Sequence, residues 1–317
     1  MTSCGDIAPR SASSGERSPT RVALRIGGVL AAALLCTLAF RRVDTRALRV
    51  ALSGASLWQV AAAMSLSLGL QTMARARRTM VILRTVPVGE IGFGDLFSLL
   101  LGGYAAGYLI PGPSEEVLHT SGLTRFGFRI RDLLSVQLIE KSLSVLSMAL
   151  MALPVLPIEG NSRVVVGVAA VAAVVALVIH RIKSDHAIPL ARLLEGLWWV
   201  LVSNLSSVAM MWLCFWSVGA HPGLSTCLKI FAVTACACAL PLTPGQVGVL
   251  ESAFVVVARH LGVGAGTALA AGILYHLAHV VPVVVGGLPA MMRLRIAMGR
   301  HINTGTWRVE TCADQSW

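Results

Sequence analysis

Leu240-Pro241-Leu242-Thr243-Pro244-Gly245-Gln246-Val247-Gly248-Val249-Leu250-Glu251 breaks an apolar run with two prolines and two glycines, then resumes it with a carboxylate. Proline removes a backbone donor and clashes with the preceding helical turn. In lipid the backbone groups so freed have no water to bond, so breaks persist only where protein or a wet cavity covers them. A second break, Leu109-Ile110-Pro111-Gly112-Pro113-Ser114-Glu115-Glu116-Val117-Leu118-His119, lies in the other half of the chain. One such break alone reads as a kink. Two, each joined to glutamate, read as two sides of one site.

The composition sets the solvent. Of 317 residues, 56% are hydrophobic and only 13% charged, and the mean hydropathy is +0.75. An average soluble domain has about 25% charged residues. Apolar blocks occupy roughly 22–40, 56–74, 93–110, 133–153, 164–180, 197–218, 229–242, 247–260 and 267–292. Most match a hydrocarbon core about 30 Å thick. Short alternating β-barrel strands are absent from the pattern. The expected fold is therefore all-α, a polytopic membrane helical bundle in the cell (plasma) membrane.

The net charge of +11 comes from arginines flanking apolar blocks, where the positive-inside bias puts them. Without a basic domain or an aromatic stacking platform, nucleic acid is excluded as a partner. The cysteines at 4, 36, 214, 227, 236, 238 and 312 are scattered. They read as small buried hydrophobes, and Cys236-Ala-Cys238 lacks zinc-site spacing. No Gly-x-x-x-x-Gly-Lys-Ser/Thr motif is present. No cofactor and no metal are expected.

The domain reading is a basic disordered tail over 1–21, a transmembrane domain over 22–295 and a short cytoplasmic tail over 296–317. The 229–242 and 247–260 arms reach only about 21 Å each, too short to cross alone, and suit a re-entrant hairpin. Arginines in the segments 75–90, 119–132, 181–196 and beyond 293 put all four in the cytoplasm. The 93–118 segment must then enter and return at Pro111-Gly112. The outcome is about six full spans plus two re-entrant hairpins from opposite faces, a possible inverted repeat. Arg41, Arg42, Arg46 and Arg49 oppose it, because this topology places them outside. Plain crossing by 93–110 is the alternative.

The candidate binding residues cluster at the breaks and in the helices beside them. Glu115, Glu116 and His119 fall within one helical turn of each other and form one polar group at the hairpin mouth. Glu140 and Lys141 sit in the middle of an apolar helix, where an ionised side chain costs about 2.5–3.5 kcal/mol unless it faces a partner or water. A structural ion pair or a snorkelling lysine would also account for them. Glu251 follows Pro244-Gly245, while His276 and His279 lie one turn apart in the last span. Packed, hydrogen-bonded histidines are the competing reading for these two.

These motifs resemble the lysylphosphatidylglycerol synthase transmembrane region, a flippase-like family. Its first motif, Pro-Gly-x-x-Gly-Glu-x-x-Arg followed by Leu-x-Arg-x-x-Gly, is matched at Pro111, Gly112, Glu116, Leu123 and Arg125, with Gly127 one residue short of the last glycine position. Its second, Pro-x-x-Pro-Gly-Gly-x-Gly-x-x-Glu, is matched at Pro241, Pro244, Gly245, Gly248 and Glu251. The chain departs from the pattern at Ser114-Glu115, His119, Lys141, Ser144 and Gln246. His276 also stands where members often carry Arg.

The resemblance implies handling of an anionic phospholipid or polyprenyl-phosphate-linked lipid, with helix N-termini facing phosphate. Lys141, Arg125 and protonated His119 would supply charge, and Glu116 and Glu251 would orient it. It does not imply synthase activity, which a separate soluble domain carries; the chain after the last span is too short for one. Two other functions compete: a non-catalytic membrane partner of a separately encoded transferase, and a membrane enzyme using Glu115, Glu116 and His119 as acid and base. Neither a metal-binding Asp cluster nor a nucleophile constellation supports the enzyme. The expected partners are membrane lipids and, in the second case, the transferase.

Overall fold

A computed structural model describes residues 45–109, 114–153, 167–174, 188–238 and 246–303. Among them every regular element is helical. The tail 1–21, the 22–40 block and the break residues Pro111, Gly112, Pro244 and Gly245 lie outside the described residues, as does most of the 164–180 block.

The helices are α1 (Thr45–Ser53), α2 (Leu57–Ser65), α3 (Thr72–Leu83), α4 (Phe93–Leu109), α5 (Ser114–Thr124), α6 (Ile130–Ala152), α7 (Leu190–Ser217), α8 (Leu224–Cys238), α9 (Val249–His260) and α10 (Ala265–Asn303). A further helical stretch covers 167–174. Between α2 and α3 the chain stays helical as a π segment, Leu66–Gln71. Residues 57–83 therefore form one rod of about 40 Å. The 75–90 segment, expected to be a loop, is helical as far as Leu83. Similarly, the last helix runs on to Asn303, past the expected boundary at 296.

Side-chain contacts fix the directions of the helices. The Ser56 N–H bonds to the Ser217 carbonyl at 2.9 Å, and Gln71 Nε2 donates to Ser207 Oγ at 2.5 Å. These contacts run the 57–83 rod antiparallel to α7. Asn204 Nδ2 donates to Ser147 Oγ at 3.0 Å, and Gly196 packs on Leu143, so α6 runs parallel to α7. Gly102 packs on Met291 and Gly287 on Ala105, which sets α4 antiparallel to α10.

The two broken stretches form helical hairpins. In the first, Gly107 of α4 meets Glu115 of α5, and Gly122 of α5 meets Leu99 of α4. In the second, α8 and α9 pack on each other, and Gln246 Nε2 reaches the Cys238 carbonyl at 3.3 Å. The first hairpin opens at the end of the bundle that carries Arg84, Arg129 and Arg293. The second opens at the end where Ser56 meets Ser217.

Each hairpin has its own apolar core. Leu96, Leu99, Leu123, Leu133, Ile139 and Ile82 fill the first. Met210, Met211, Phe215, Phe254, Ile230 and Leu269 fill the second, with Phe215 and Phe254 stacked at 5.3 Å. Three helices, Ile130–Ala152, Leu190–Ser217 and Ala265–Arg293, are long and apolar enough to cross a membrane. Pro282 and Pro289 lie inside α10, where neighbouring helices can shield the freed carbonyls.

Helix α4 packs closely on α10. A Cβ on Gly287 would sit 2.5 Å from the Ala105 Cβ and 2.9 Å from the Leu101 carbonyl oxygen. Gly69, in the π segment, has open space around it. Gly287→Ala should therefore destabilise the protein by about 1–3 kcal/mol, the usual cost of overpacking. Gly69→Ala should be neutral or mildly stabilising. Thermal unfolding of both variants in detergent checks this contrast.

Candidate functional site

The second break is built around one carboxylate. Gly248 has φ 83°, a left-handed conformation that glycine reaches without steric cost, and it caps α9. Its N–H donates to Glu251 Oε2 at 2.7 Å, so the side chain three residues on satisfies a backbone group left free by the helix start. The other oxygen, Oε1, lies 2.6 Å from His276 Nδ1 on α10. Glu251 is buried, and both of its oxygens have partners. The Gly-x-x-Glu spacing thus has a local structural cause besides any ligand.

At the first break, Glu115 lies against a glycine groove. A Cβ on Gly107 would be 3.2 Å from the Glu115 Cβ and 3.4 Å from its Oε2, and one on Gly103 would be 3.5 Å from its carbonyl oxygen. Two small residues four apart let the returning helix approach closely, as at membrane helix interfaces generally. Glu115, Glu116 and His119 meet different contacts around α5, while Glu116 remains an electrostatic neighbour of both others. Glu115 turns to α4, while Glu116 meets Lys141 Nζ at 3.6 Å near the surface. His119 is buried, with Glu140 and Arg78 among its electrostatic neighbours, and its Nε2 has no hydrogen-bond partner among the described residues.

Glu140 and Lys141 also part. Glu140 points inward and accepts from Arg78 Nε at 3.0 Å and from the Thr79 hydroxyl. Arg78 Nη1 donates in addition to Ser144 Oγ at 3.3 Å. Lys141 has its side chain 73% exposed, so its pair with Glu116 is weak. Arg125 is exposed at the far end of α5, roughly 15 Å of helix from Glu115, and lies outside this group.

Sequence reading missed the residues at the centre. The Arg75 guanidinium carbon lies 5.1 Å from the centroid of the Tyr104 ring, with Tyr108 and Glu115 as further electrostatic neighbours. Tyr108 and Tyr275 both contact the His279 ring, at 6.5 and 5.9 Å between centroids. Tyr275 also interacts electrostatically with Arg75. All three tyrosines of the chain therefore lie within electrostatic range of one arginine, with Tyr104 in direct ring contact. His279 Nδ1 is buried without a hydrogen-bond partner among the described residues.

One face of α10 joins the two breaks. His279 meets Tyr108 at the end of α4, Tyr275 packs on His279, and His276, between them in sequence, holds Glu251. The result is a polar seam of guanidinium, phenol, imidazole and carboxylate groups between two apolar cores. It can bind a polar group by charge and hydrogen bonds. Among the described residues, no three His, Cys, Asp or Glu side chains gather as a metal site. The missed signal was periodic: Gln71, Arg75, Arg78 and Thr79 repeat at helical spacing.

Comparison with known families gives one match. The model for the lysylphosphatidylglycerol synthase TM region matches residues 25–287. No curated protein matches the chain.

The Arg78–Glu140 pair is buried on two unbroken helices. Removing one partner strands a charge, which costs about 3–5 kcal/mol, whereas replacing both with apolar residues can be neutral. Arg78→Met and Glu140→Leu should each lower the unfolding temperature strongly. The double variant should recover most of that loss, as a double-mutant cycle in detergent will read.

Proposed function

The chain belongs to the lysylphosphatidylglycerol synthase transmembrane-region family, and from that premise we propose that it binds and moves a lipid with an anionic headgroup across the bilayer. An anionic phospholipid or a polyprenyl-phosphate-linked lipid fits this reading. The observation that carries it is the convergence of both helix breaks on one ionisable seam inside an otherwise apolar bundle. A charged seam is costly in a membrane protein and marks substrate pathways there.

In this reading the two hairpins are re-entrant and approach the mid-plane from opposite faces. Residues 57–83, α6, α7 and α10 cross fully. Arg84, Arg129, Arg131, Arg192 and Arg293 favour a cytoplasmic mouth for the first hairpin, by the positive-inside bias. Trp212 and Trp216, 4.6 Å apart and partly exposed, mark the opposite interface, where the Trp212 ring N–H donates to the Pro222 carbonyl. Arg46 and Arg49 lie on α1, an amphipathic helix suited to rest on that outer surface. Their outward position then reflects an interfacial helix rather than a misplaced cytoplasmic loop.

Vesicles containing the purified protein should move fluorescent phosphatidylglycerol between leaflets, measured by quenching from outside. Glu251→Gln keeps an acceptor for the Gly248 N–H but removes the charge, and should slow movement by about tenfold or more. An unchanged rate would remove Glu251 from the site. Absence of movement in the wild-type protein would overturn the function.

Topology has its own test in a cysteine-free background. Cysteines at Glu90 and Arg129, flanking the first hairpin, should react with an impermeant reagent from one face. Those at His221 and His260, flanking the second, should react from the other. Labelling of positions 90 and 129 from opposite faces would mean that the first hairpin crosses.

A further inference from the structure

Lys141 stands where an exposed lysine is costly. It lies about 12 Å along α6 from Leu133, where the apolar block begins, deep within a hydrocarbon core about 30 Å thick. Its side chain is nevertheless 73% exposed. An ammonium at that depth needs a polar partner or water, and four methylenes are too short to carry it out to the interface. Its ion-pair partner, Glu116 Oε1, is 3.6 Å away and 42% exposed. A firm charge-assisted bond would be about 2.7–2.9 Å long. A lysine has three donors, and so open a pair leaves room for a second anion.

This pair is the upper rung of a polar strip on the outside of the bundle. Helices α5 and α6 run antiparallel there: Glu116 faces Lys141, and one turn lower Gln137 Nε2 donates to Thr120 Oγ1 at 2.8 Å. Arg125 is exposed at the foot of α5. The margins of the strip are aliphatic, with Val117 on α5 and Leu134 and Leu138 on α6 all at least half exposed. A protein helix laid over this face would have to bury the ammonium and carboxylate, which is costly for so loose a pair. A phospholipid fits both parts, its headgroup on the polar rungs and its chains along the aliphatic margins. The upper end of the strip is the first break, where α5 begins.

We propose that the outer face of the α5–α6 contact is the lateral entry for the transported lipid, its phosphate binding Lys141 while its chains stay in the bilayer. This rests on the lipid-handling reading above and adds where the headgroup enters and which cation receives it. The phosphate takes the open side of the ammonium, and Glu116 accepts a headgroup hydroxyl. Thr120 and Gln137 offer hydrogen bonds on the way up from the cytoplasmic leaflet. The headgroup is thereby brought to the level of the first break without its chains leaving the lipid.

The test is photo-crosslinking of the full-length protein in phosphatidylcholine nanodiscs doped with radiolabelled dioleoyl phosphatidylglycerol. Benzoylphenylalanine in place of Leu138, on the margin beside Lys141, should capture the labelled lipid. The same probe in place of Leu205, exposed on α7, serves as the control for general lipid contact. Lys141→Gln should lower capture at position 138 by about fivefold, the effect of one exposed charge pair, and leave capture at 205 and the unfolding temperature unchanged. Lys141→Arg keeps a cation that binds phosphate and should retain capture. If Lys141→Gln fails to fold, Gln137→Leu carries the test: loss of one hydrogen-bonding rung should lower capture by about twofold.

Unlabelled dioleoyl phosphatidylglycerol should compete at position 138, whereas dioleoylglycerol, with the same chains and no phosphate, should not. Undiminished capture in folded Lys141→Gln, or in Gln137→Leu where that variant carries the test, would overturn the proposal. So would an equal fall at position 205, or equal competition by dioleoylglycerol. Equal competition by inorganic phosphate would also overturn it, assigning Lys141 to a free anion. If the wild-type protein still moves phosphatidylglycerol in vesicles, such a failure removes the entry strip alone and leaves the function standing.

Discussion

A helix interrupted within an apolar bundle must find internal partners for its freed backbone groups, and this constraint organises the whole protein. At the second break the Glu251 carboxylate turns back onto the Gly248 N–H, then needs His276 from a distant helix for its other oxygen. At the first, Glu115 folds onto α4 only because Gly103 and Gly107 leave room. Satisfying the breaks thus brings ionisable groups inward, and the α10 face that receives them becomes the meeting point of the two hairpins. Polar chemistry at the centre follows from the breaks themselves.

The apolar cores make that arrangement affordable. Each hairpin packs its own cluster, so the seam between them is flanked by side chains excluded from water. Charge interactions there are strengthened by the low local dielectric, and an unpaired ion is correspondingly costly. That cost explains why Glu140, which sequence reading paired only loosely with a neighbour or solvent, takes Arg78 and Thr79 together. It also explains why Lys141, adjacent in sequence, turns outward: consecutive residues on a helix point about 100° apart and cannot share one buried partner.

The helical class was legible in the long apolar blocks, and the inward, partnered positions of Glu140 and Glu251 were legible because each violates an apolar background. Family-pattern spacing likewise pointed to Gly248 and Glu251 together. Other features were hidden for definite reasons. Arg75, Arg77 and Arg78 crowd the end of an apolar block, so they resembled a cytoplasmic loop. In fact the helix continues, with Arg77 over the Phe93 ring at 4.5 Å and Arg78 turned inward. A linear sequence gives the spacing Glu115, Glu116, His119 but not the different helices that each of them faces around α5. The tyrosines carried no local signal at all; only the fold gathers residues 104, 108 and 275.

The departures from the family pattern acquire physical meaning at this level. Gln246 has φ 62°, the left-handed region where a non-glycine residue costs roughly 1–2 kcal/mol, which accounts for glycine being the family's usual residue there. Its amide bond to the Cys238 carbonyl offsets part of that cost and ties the two arms of the hairpin. Ser144, in place of Asp, leaves Arg78 with one carboxylate rather than two, so Arg78 and Glu140 balance in charge. His276, where relatives often carry Arg, reaches Glu251 with an imidazole, whose charge near neutral pH depends on its surroundings, whereas a guanidinium is permanently charged. The changes at Ser144 and His276 act on the partners of the fixed carboxylates, while Gln246 acts on the backbone that joins the hairpin arms.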